Sequence, residues 1–346
     1  MFLRRLFVFL LALSLSACGG ASQTSVPATA VPAQPSPAGS GPRTSVIIAM
    51  PYIPNVQFAP YYVAKARGYY AEAGIDVTFD YQYETDSVQR VAQGNAQFGL
   101  AGGDSVLLAR AQGLPIVTVA TNSQRSPTVF FSKAALNITT PADLKGKSVG
   151  IPGRFGASYI GLLALLYANQ MTENDLNIQE VGFAQVQALS EDKIQVASGY
   201  GNNEPVQLTQ QGIAVNVIKV SDSYDLVSDG LLTNETLIRE QPELVRGFVQ
   251  ATLRGMQDVI SDPDAAFTLS LEEISELKSA DEATRQLQRQ VLQETLPYWQ
   301  SDGTAKHGLG YTDESSWLAT HTFLRASGLL TKDVDIKAAV TNEFIK

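Results

Sequence analysis

Four short segments carry side chains suited to binding rather than to reaction. Tyr52, Asn55, Gln57 and Phe58 set two rings beside two amides. Gly102-Gly103-Asp104-Ser105 joins a permissive backbone to a carboxylate and a hydroxyl. There Asp104 or Ser105 meets a ligand, or Asp104 caps the helix that follows. Gly153-Arg154-Phe155-Gly156-Ala157-Ser158 lies between a strand and a helix, where backbone amides are free. Arg154 would counter an anionic group there, or Phe155 would stack on an aromatic one. The fourth segment, Ser198 to Pro205, contains Tyr200, Asn203 and Glu204. It either touches ligand or only starts a helix. Tyr224 and Asp225 add a ring and a carboxylate further on. Rings supply stacking area, and amides and carboxylates supply direction. This set suits a flat, largely neutral heterocycle. It suits sulfonate or nitrate less, since Glu204 would repel them.

Catalytic constellations do not emerge. The two histidines, His307 and His321, fall in the C-terminal part, away from these segments. One cysteine rules out an internal disulfide framework, a cysteine-rich zinc site and an iron–sulfur cluster. No nucleophile elbow, zincin helix, phosphate loop or dinucleotide fingerprint is present. Neither a cofactor nor a metal is expected.

The elements that would position these segments alternate. Strands are expected at Val46–Met50, Ile75–Phe79, Ala96–Ala101 and Ile116–Ala120, with helices at Ala59–Ala73, Ser87–Gly94 and Asp104–Gln112 between them. The rhythm restarts near residue 127. Strands are expected at Val129–Phe131, Ser148–Pro152, Ile178–Phe183, Ile194–Ala197 and Val215–Val220, with a helix at Ala157–Gln170. Beyond residue 233 the pattern is helical: Glu240–Ile260, Asp264–Ser275, Asp281–Leu296 and Thr312–Ala326. Alternating strands and helices imply an α/β fold with mostly parallel pairing. At 346 residues the chain is long enough for two domains.

A composition of 45% hydrophobic and 17% charged residues excludes a wholly disordered chain. A net charge of −9 argues against a nucleic-acid partner. The N-terminus is distinct. Arg4 and Arg5 precede an apolar run, Leu6 to Leu15, too short to span a membrane stably. Residues 1–17 read as a signal peptide. Leu15-Ser16-Ala17-Cys18 resembles the bacterial lipobox, which places the single cysteine first after cleavage and lipidates it. The alternative is an ordinary signal cut at another small residue. Residues 18–45 are mostly Gly, Ala, Ser, Thr and Pro and form a tether. The chain would thus be exported and held at the outer face of the membrane by lipidated Cys18.

Residues 58–77 resemble a family signature: Ala64 through Gly68-Tyr69-Tyr70 to Gly74-Ile75-Asp76-Val77 follows the pattern A-x-x-x-G-Y/F, then G-I/L-x-V. Further matches are Gly94-Asn95-Ala96-Gln97-Phe98-Gly99, Leu144-Lys145-Gly146-Lys147-Ser148-Val149-Gly150 and Asn203-Glu204-Pro205. Over residues 46–260 the chain is similar to the NMT1/THI5-like solute-binding proteins. The resemblance implies a periplasmic-binding-protein type II fold. Two lobes with mixed, mostly parallel sheets would be joined by hinge crossovers near Ser126-Pro127 and Ser221–Asp225. Lobe 1 would take residues 46–127 plus 225–346, and lobe 2 residues 128–224. The implied function is that of a monomeric substrate-binding lipoprotein. It would close on a heteroaromatic vitamin and deliver it to an ABC permease. Two sub-groups take such ligands. The pyrimidine-binding one, for the thiamine precursor formylaminopyrimidine, implies Trp where Tyr52 stands and His where Gln57 stands. These departures favour the riboflavin-binding sub-group. The family's pyrimidine-synthesising enzymes use a lysine and histidine with a cysteine-rich motif. Here only Lys65 is present, with no nearby histidine and no spare cysteine.

Overall fold

The computed structural model describes residues 42–346. The signal peptide, Cys18 and the tether up to residue 41 lie outside the described residues. Strand β1 is Thr44–Met50, so regular structure starts two residues before the expected Val46. Then come β2 (Ile75–Tyr81), β3 (Phe98–Gly102), β4 (Ile116–Thr121), β5 (Thr128–Lys133), β6 (Ser148–Ile151), β7 (Asn177–Glu180), β8 (Val196–Tyr200), β9 (Val215–Lys219) and β10 (Asp229–Asn234). They form two five-stranded sheets, ordered β2-β1-β3-β10-β4 and β7-β6-β8-β5-β9. The chain passes between the sheets twice, through residues 122–127 and 220–228. Each sheet is mixed. In the first, β1 pairs in parallel with β2 and β3, and β10 runs antiparallel between β3 and β4. In the second, β6 is parallel to β7 and β8, while β5 is antiparallel to β8 and β9.

Strand β1 shows why both faces are covered. Val46, Ile48 and Met50 point to one core and Ala49 to another, as the two-residue period of a strand requires. The first core is closed by the helix Pro242–Ser261. Its Val245, Phe248, Val249, Thr252, Met256 and Val259 recur every three or four residues and are all buried. Phe248 stacks on Phe98 at 4.0 Å, on its other side lies Tyr70 at 4.8 Å, and Thr252 Oγ1 sits 2.8 Å from the Tyr70 hydroxyl. Gly255 lets this helix touch Ala59–Ala66: a Cβ there would fall 2.9 Å from Ala64 N and closer still to the Pro60 carbonyl oxygen.

Some sequence expectations need correction. The single helix expected over Ala59–Ala73 is two, Ala59–Ala66 and Tyr69–Glu72, because Gly68 turns left-handed at φ +78°. The helix expected over Asp264–Ser275 ends at Ser270, and a separate turn follows at Ser275–Lys278. The expected strand Ile178–Phe183 stops at Glu180, and β8 runs to Tyr200 instead of ending at Ala197. Strand β10 was not expected at all. Its sequence, Asp-Gly-Leu-Leu-Thr-Asn, offers only two adjacent apolar residues and no alternation. It is a strand because β3 and β4 pair with both its edges, while Leu231 and Leu232 are buried in the cores on opposite faces of the sheet.

Candidate functional site

Parallel strands direct their carboxyl ends toward one region, and helix N-termini gather there. The loops after β1, β2, β3, β4, β6, β7 and β8 converge on a cleft between the two sheets, with about 1040 Å³ of empty space when the open solvent at its mouth is counted.

Rings form the outer part. Tyr52 meets Phe183 edge-on at 4.7 Å, Tyr83 lies 5.3 Å from Phe183, and Tyr83 meets Phe155 edge-on at 5.2 Å. Tyr52 and Tyr83 come from loops of the first sheet, Phe155 and Phe183 from the second, so the cluster bridges the cleft. Tyr83 is 41% and Phe183 38% exposed, which places them at the rim. Phe58, nearly buried, lies deeper on the first-sheet side.

Acceptors form the inner part. Glu204 is buried; its carboxylate accepts from the Tyr200 amide at 2.8 Å and from Asn203 Nδ2 at 3.2 Å. Gly199 makes the room, since a Cβ there would sit 2.6 Å from Glu204 Oε2. Burial pushes the Glu204 carboxyl up to about 7, against the pull of these hydrogen bonds. Glu84 accepts from the Gly102 amide at 3.0 Å and the Ser105 hydroxyl at 2.6 Å, and faces the Ala157 amide at 3.4 Å. Burial raises its pKa. Asp229 accepts from Asn122 Nδ2 at 2.8 Å. Asn202 donates to Thr295 Oγ1 at 2.7 Å and to Gln57 Oε1 at 3.4 Å. Burial, then the Asp229, Glu84, Asp104 and Glu204 charges, raise Tyr200 far above the ordinary tyrosine range, so its hydroxyl stays protonated.

Of the residues singled out in the sequence, Tyr52, Gln57, Phe58, Phe155, Tyr200, Asn203 and Glu204 line the cleft. Six others do not. Asn55 caps the short turn Val56–Phe58, its Oδ1 accepting from the Gln57 amide at 3.0 Å. Asp104 lies buried under Gly102; Gly102, not Asp104, is the N-cap of the helix Gly103–Ala111. Burial first, then the Glu84 charge, raise the Asp104 pKa strongly. Ser105 holds Glu84 rather than the cleft wall. Arg154 pairs with Glu173, and with Glu180 at 3.5 Å, on the half-exposed outer side. Tyr224 donates to the Ala319 carbonyl at 3.0 Å and packs on Tyr167 and Phe323. Asp225 stays beside it, outside the cleft lining.

The sequence expectations missed Tyr83, Glu84, Asn122, Phe183 and Asp229. All but Asp229 follow a strand end, the signal used for the segments that were found. Asn202 stood inside a quoted segment. Thr295, at the end of the helix Glu282–Thr295, and Tyr298 and Trp299, in the 3-10 turn Leu296–Trp299 after it, carried no such signal.

Comparison with known proteins accords with this architecture. Residues 55–266 match the family described as NMT1/THI5 like. Over 339 residues the chain is 50% identical to the riboflavin-binding protein RibY of Chloroflexus aurantiacus, covering 97% of this chain and 95% of that one. It is 29% identical over 299 residues to the formylaminopyrimidine-binding protein of Halalkalibacterium halodurans (84% and 87% covered). It is 24% identical over 308 residues to the 4-amino-5-hydroxymethyl-2-methylpyrimidine phosphate synthase of Legionella pneumophila (88% and 93% covered). The periplasmic aliphatic sulphonate-binding protein SsuA of Escherichia coli superposes with a TM-score of 0.68 at 15% identity, covering 86% of this chain and 92% of that one. The two mixed sheets are thus those of the periplasmic-binding-protein fold, and the chain belongs to the NMT1/THI5-like family.

Proposed function

We propose that this chain is an extracytoplasmic binding protein that captures riboflavin and presents it to an ABC permease in the membrane. The observation that carries this is the composition of the cleft: four rings at the mouth, and carboxylates and carboxamides inside. Stacking on the rings suits an isoalloxazine. The inner acceptors suit the hydroxyls of a polyol chain and ring N–H groups. The 50% identity to a riboflavin-binding protein supports the same choice. Formylaminopyrimidine is the second reading, favoured by the 29% relative. It is smaller and would engage fewer of the cleft's rings and acceptors at once.

Lobe 1 is residues 46–127 plus 225–346 and lobe 2 is residues 128–224, with Ser126-Pro127 and Ser221–Asp225 as hinges. Closing the lobes buries the ligand from water, and the permease reads the changed outer surface. A lipid on Cys18 holds the monomer at the membrane, and the tether lets it reorient. Binding is favoured over synthase chemistry, because Lys65 is paired with Glu273 at 2.8 Å outside the cleft lining.

The test is titration of the purified full-length chain with riboflavin, following flavin fluorescence. Quenching with a micromolar or tighter Kd is expected. No quenching at micromolar concentration, with tight formylaminopyrimidine binding by calorimetry, overturns the riboflavin assignment.

A further inference from the structure

We propose that this cleft selects against oxyanions: it takes the uncharged form of its ligand and rejects a phosphorylated or sulfonated one, with Glu84 standing where such a group would be held. This rests on the flavin reading and adds the exclusion of the flavin 5′-phosphate.

The N-terminus of a helix offers unpaired amides and partial positive charge, which is where oxyanions settle. Two helices of sufficient length start at this cleft, Gly103–Ala111 and Gly156–Ala168. Glu84 already occupies both ends. One carboxylate oxygen accepts from Gly102 N–H and the Ser105 hydroxyl, and the other faces Ala157 N–H. The fit is close: a Cβ on Gly156 would stand 3.1 Å from Glu84 Oε2. The Gly102 amide and Ser105 hydroxyl at the first helix are thus held by the chain's own carboxylate, which also stands at the start of the second, where a phosphate would meet its charge.

The remaining groups also disfavour an anion. Glu204 enters from the start of the helix Glu204–Gln210, and Asp229 from the start of β10. Asp104 lies directly behind Gly102. Burial and then the Glu84 charge push the Asp104 carboxyl up to about 8, and burial also raises Glu84. Tyr52 and Tyr200 contribute neutral hydroxyls. Among the described residues, the cleft lining includes no lysine, arginine or histidine. Arg154 is committed to Glu173 and Glu180, and Arg125 lies over the Tyr298 ring at 5.3 Å.

A second observation states what the cleft does want. Asn122 Oδ1 and Asn202 Oδ1 are buried without a partner, on residues that are 7% and 3% exposed and line the cleft. Each amide is oriented by its own Nδ2 bond, to Asp229 and to Thr295, which leaves the oxygen as the free end. Both await a donor. A hydroxyl or ring N–H supplies one; a phosphate dianion does not.

The test compares riboflavin with its 5′-phosphate, by fluorescence titration of the full-length chain at pH 7.5. The phosphate is expected to bind about 100-fold or more weakly, given several carboxylates within a few ångström in a partly enclosed site. Glu84→Gln and Asp229→Asn should each narrow that gap about tenfold; the second carries the comparison if the first does not fold. A phosphate affinity within tenfold of riboflavin in the wild type, or an unchanged gap in folded variants, overturns the proposal. If riboflavin itself does not bind, the flavin reading falls and ethanesulfonate becomes the probe. It should leave the wild-type melting temperature unchanged and raise that of Glu84→Gln. A rise in the wild type, or none in the variant, overturns the proposal.

Discussion

Replacing Glu204 by Gln should uncouple ligand affinity from pH. In the wild type the buried carboxyl titrates near 7, against an ordinary value of 4.5. The difference corresponds to about 3 kcal/mol. Its sign follows from proton binding. The folded chain holds this proton more tightly than the unfolded chain. Unliganded stability from Glu204 is therefore greatest below pH 4.5, declines as pH rises through 7, and is flat above. A ligand hydroxyl or N–H that donates to the carboxylate prefers the ionised form, so affinity runs the other way. At pH 6 about one molecule in eleven is ionised and at pH 8 about ten in eleven. Affinity should rise about tenfold between them, or about 1.4 kcal/mol. Glutamine keeps an acceptor oxygen but not the charge. The variant should bind about 1 to 3 kcal/mol more weakly at pH 8 and lose the tenfold part of the slope that Glu204 supplies. Other groups face the same space. Asp229 lines the cleft, Tyr52 and Tyr200 stay protonated, and the Asp104–Glu84 pair titrates in both proteins. The difference between the two profiles thus isolates Glu204. Flavin quenching from pH 5.5 to 8.5 measures it. Parallel profiles, or equal affinity at pH 8, would refute contact between ligand and Glu204.

Three other perturbations have defined outcomes. Tyr83→Ala removes two ring contacts that bridge the sheets and must part before a ligand leaves; with aromatic pairs worth about 0.5 to 1.5 kcal/mol each, dissociation measured by stopped flow should accelerate about tenfold. Gly255→Ala forces a methyl against Pro60 and Ala64 in a helix contact that cannot easily move, and should cost about 1 to 3 kcal/mol, seen as a lower thermal midpoint by calorimetry. Under the proposed lipid anchor, Cys18→Ala should shift the chain from the detergent phase to the aqueous phase in a phase-partition assay; partition into detergent by the variant would refute the anchor.

Much of the fold was legible in the sequence because alternation and length were enough to mark its strands. Val46 to Met50 and Ile116 to Ala120 are apolar runs that suit a sheet covered on both faces; the first became β1, second in its sheet, and the second became β4, a buried edge strand. What periodicity does not carry is a decision made by one residue or by distant neighbours. Gly68 breaks a helix between Ala64-Lys65-Ala66-Arg67 and Ala71-Glu72-Ala73, all good helix formers. Strand β10 exists because β3 and β4 leave a place between them, a fact spread over 130 residues of chain.

The site was legible for the same reason and failed at a definite point. Strand ends predict which loops meet the cleft, and this rule found Tyr52, Phe155 and Glu204. It does not say which side chain of a loop turns inward. In the first loop Asn55 and Gln57 are equivalent by type and spacing. Asn55 turns back to cap Val56–Phe58, because a short side chain reaches its own backbone two residues on, whereas Gln57 is free to face the cleft. In the third loop Arg154 loses to Phe155. Two glutamates, Glu173 and Glu180, stand on the outer side, where the guanidinium stays half exposed. Burying it in the cleft instead would have added the one cation there, and with it an affinity for anions that Glu84, Glu204 and Asp229 oppose. The sequence holds both partners of that choice. Only their placement makes the cleft a site for donors rather than for charge.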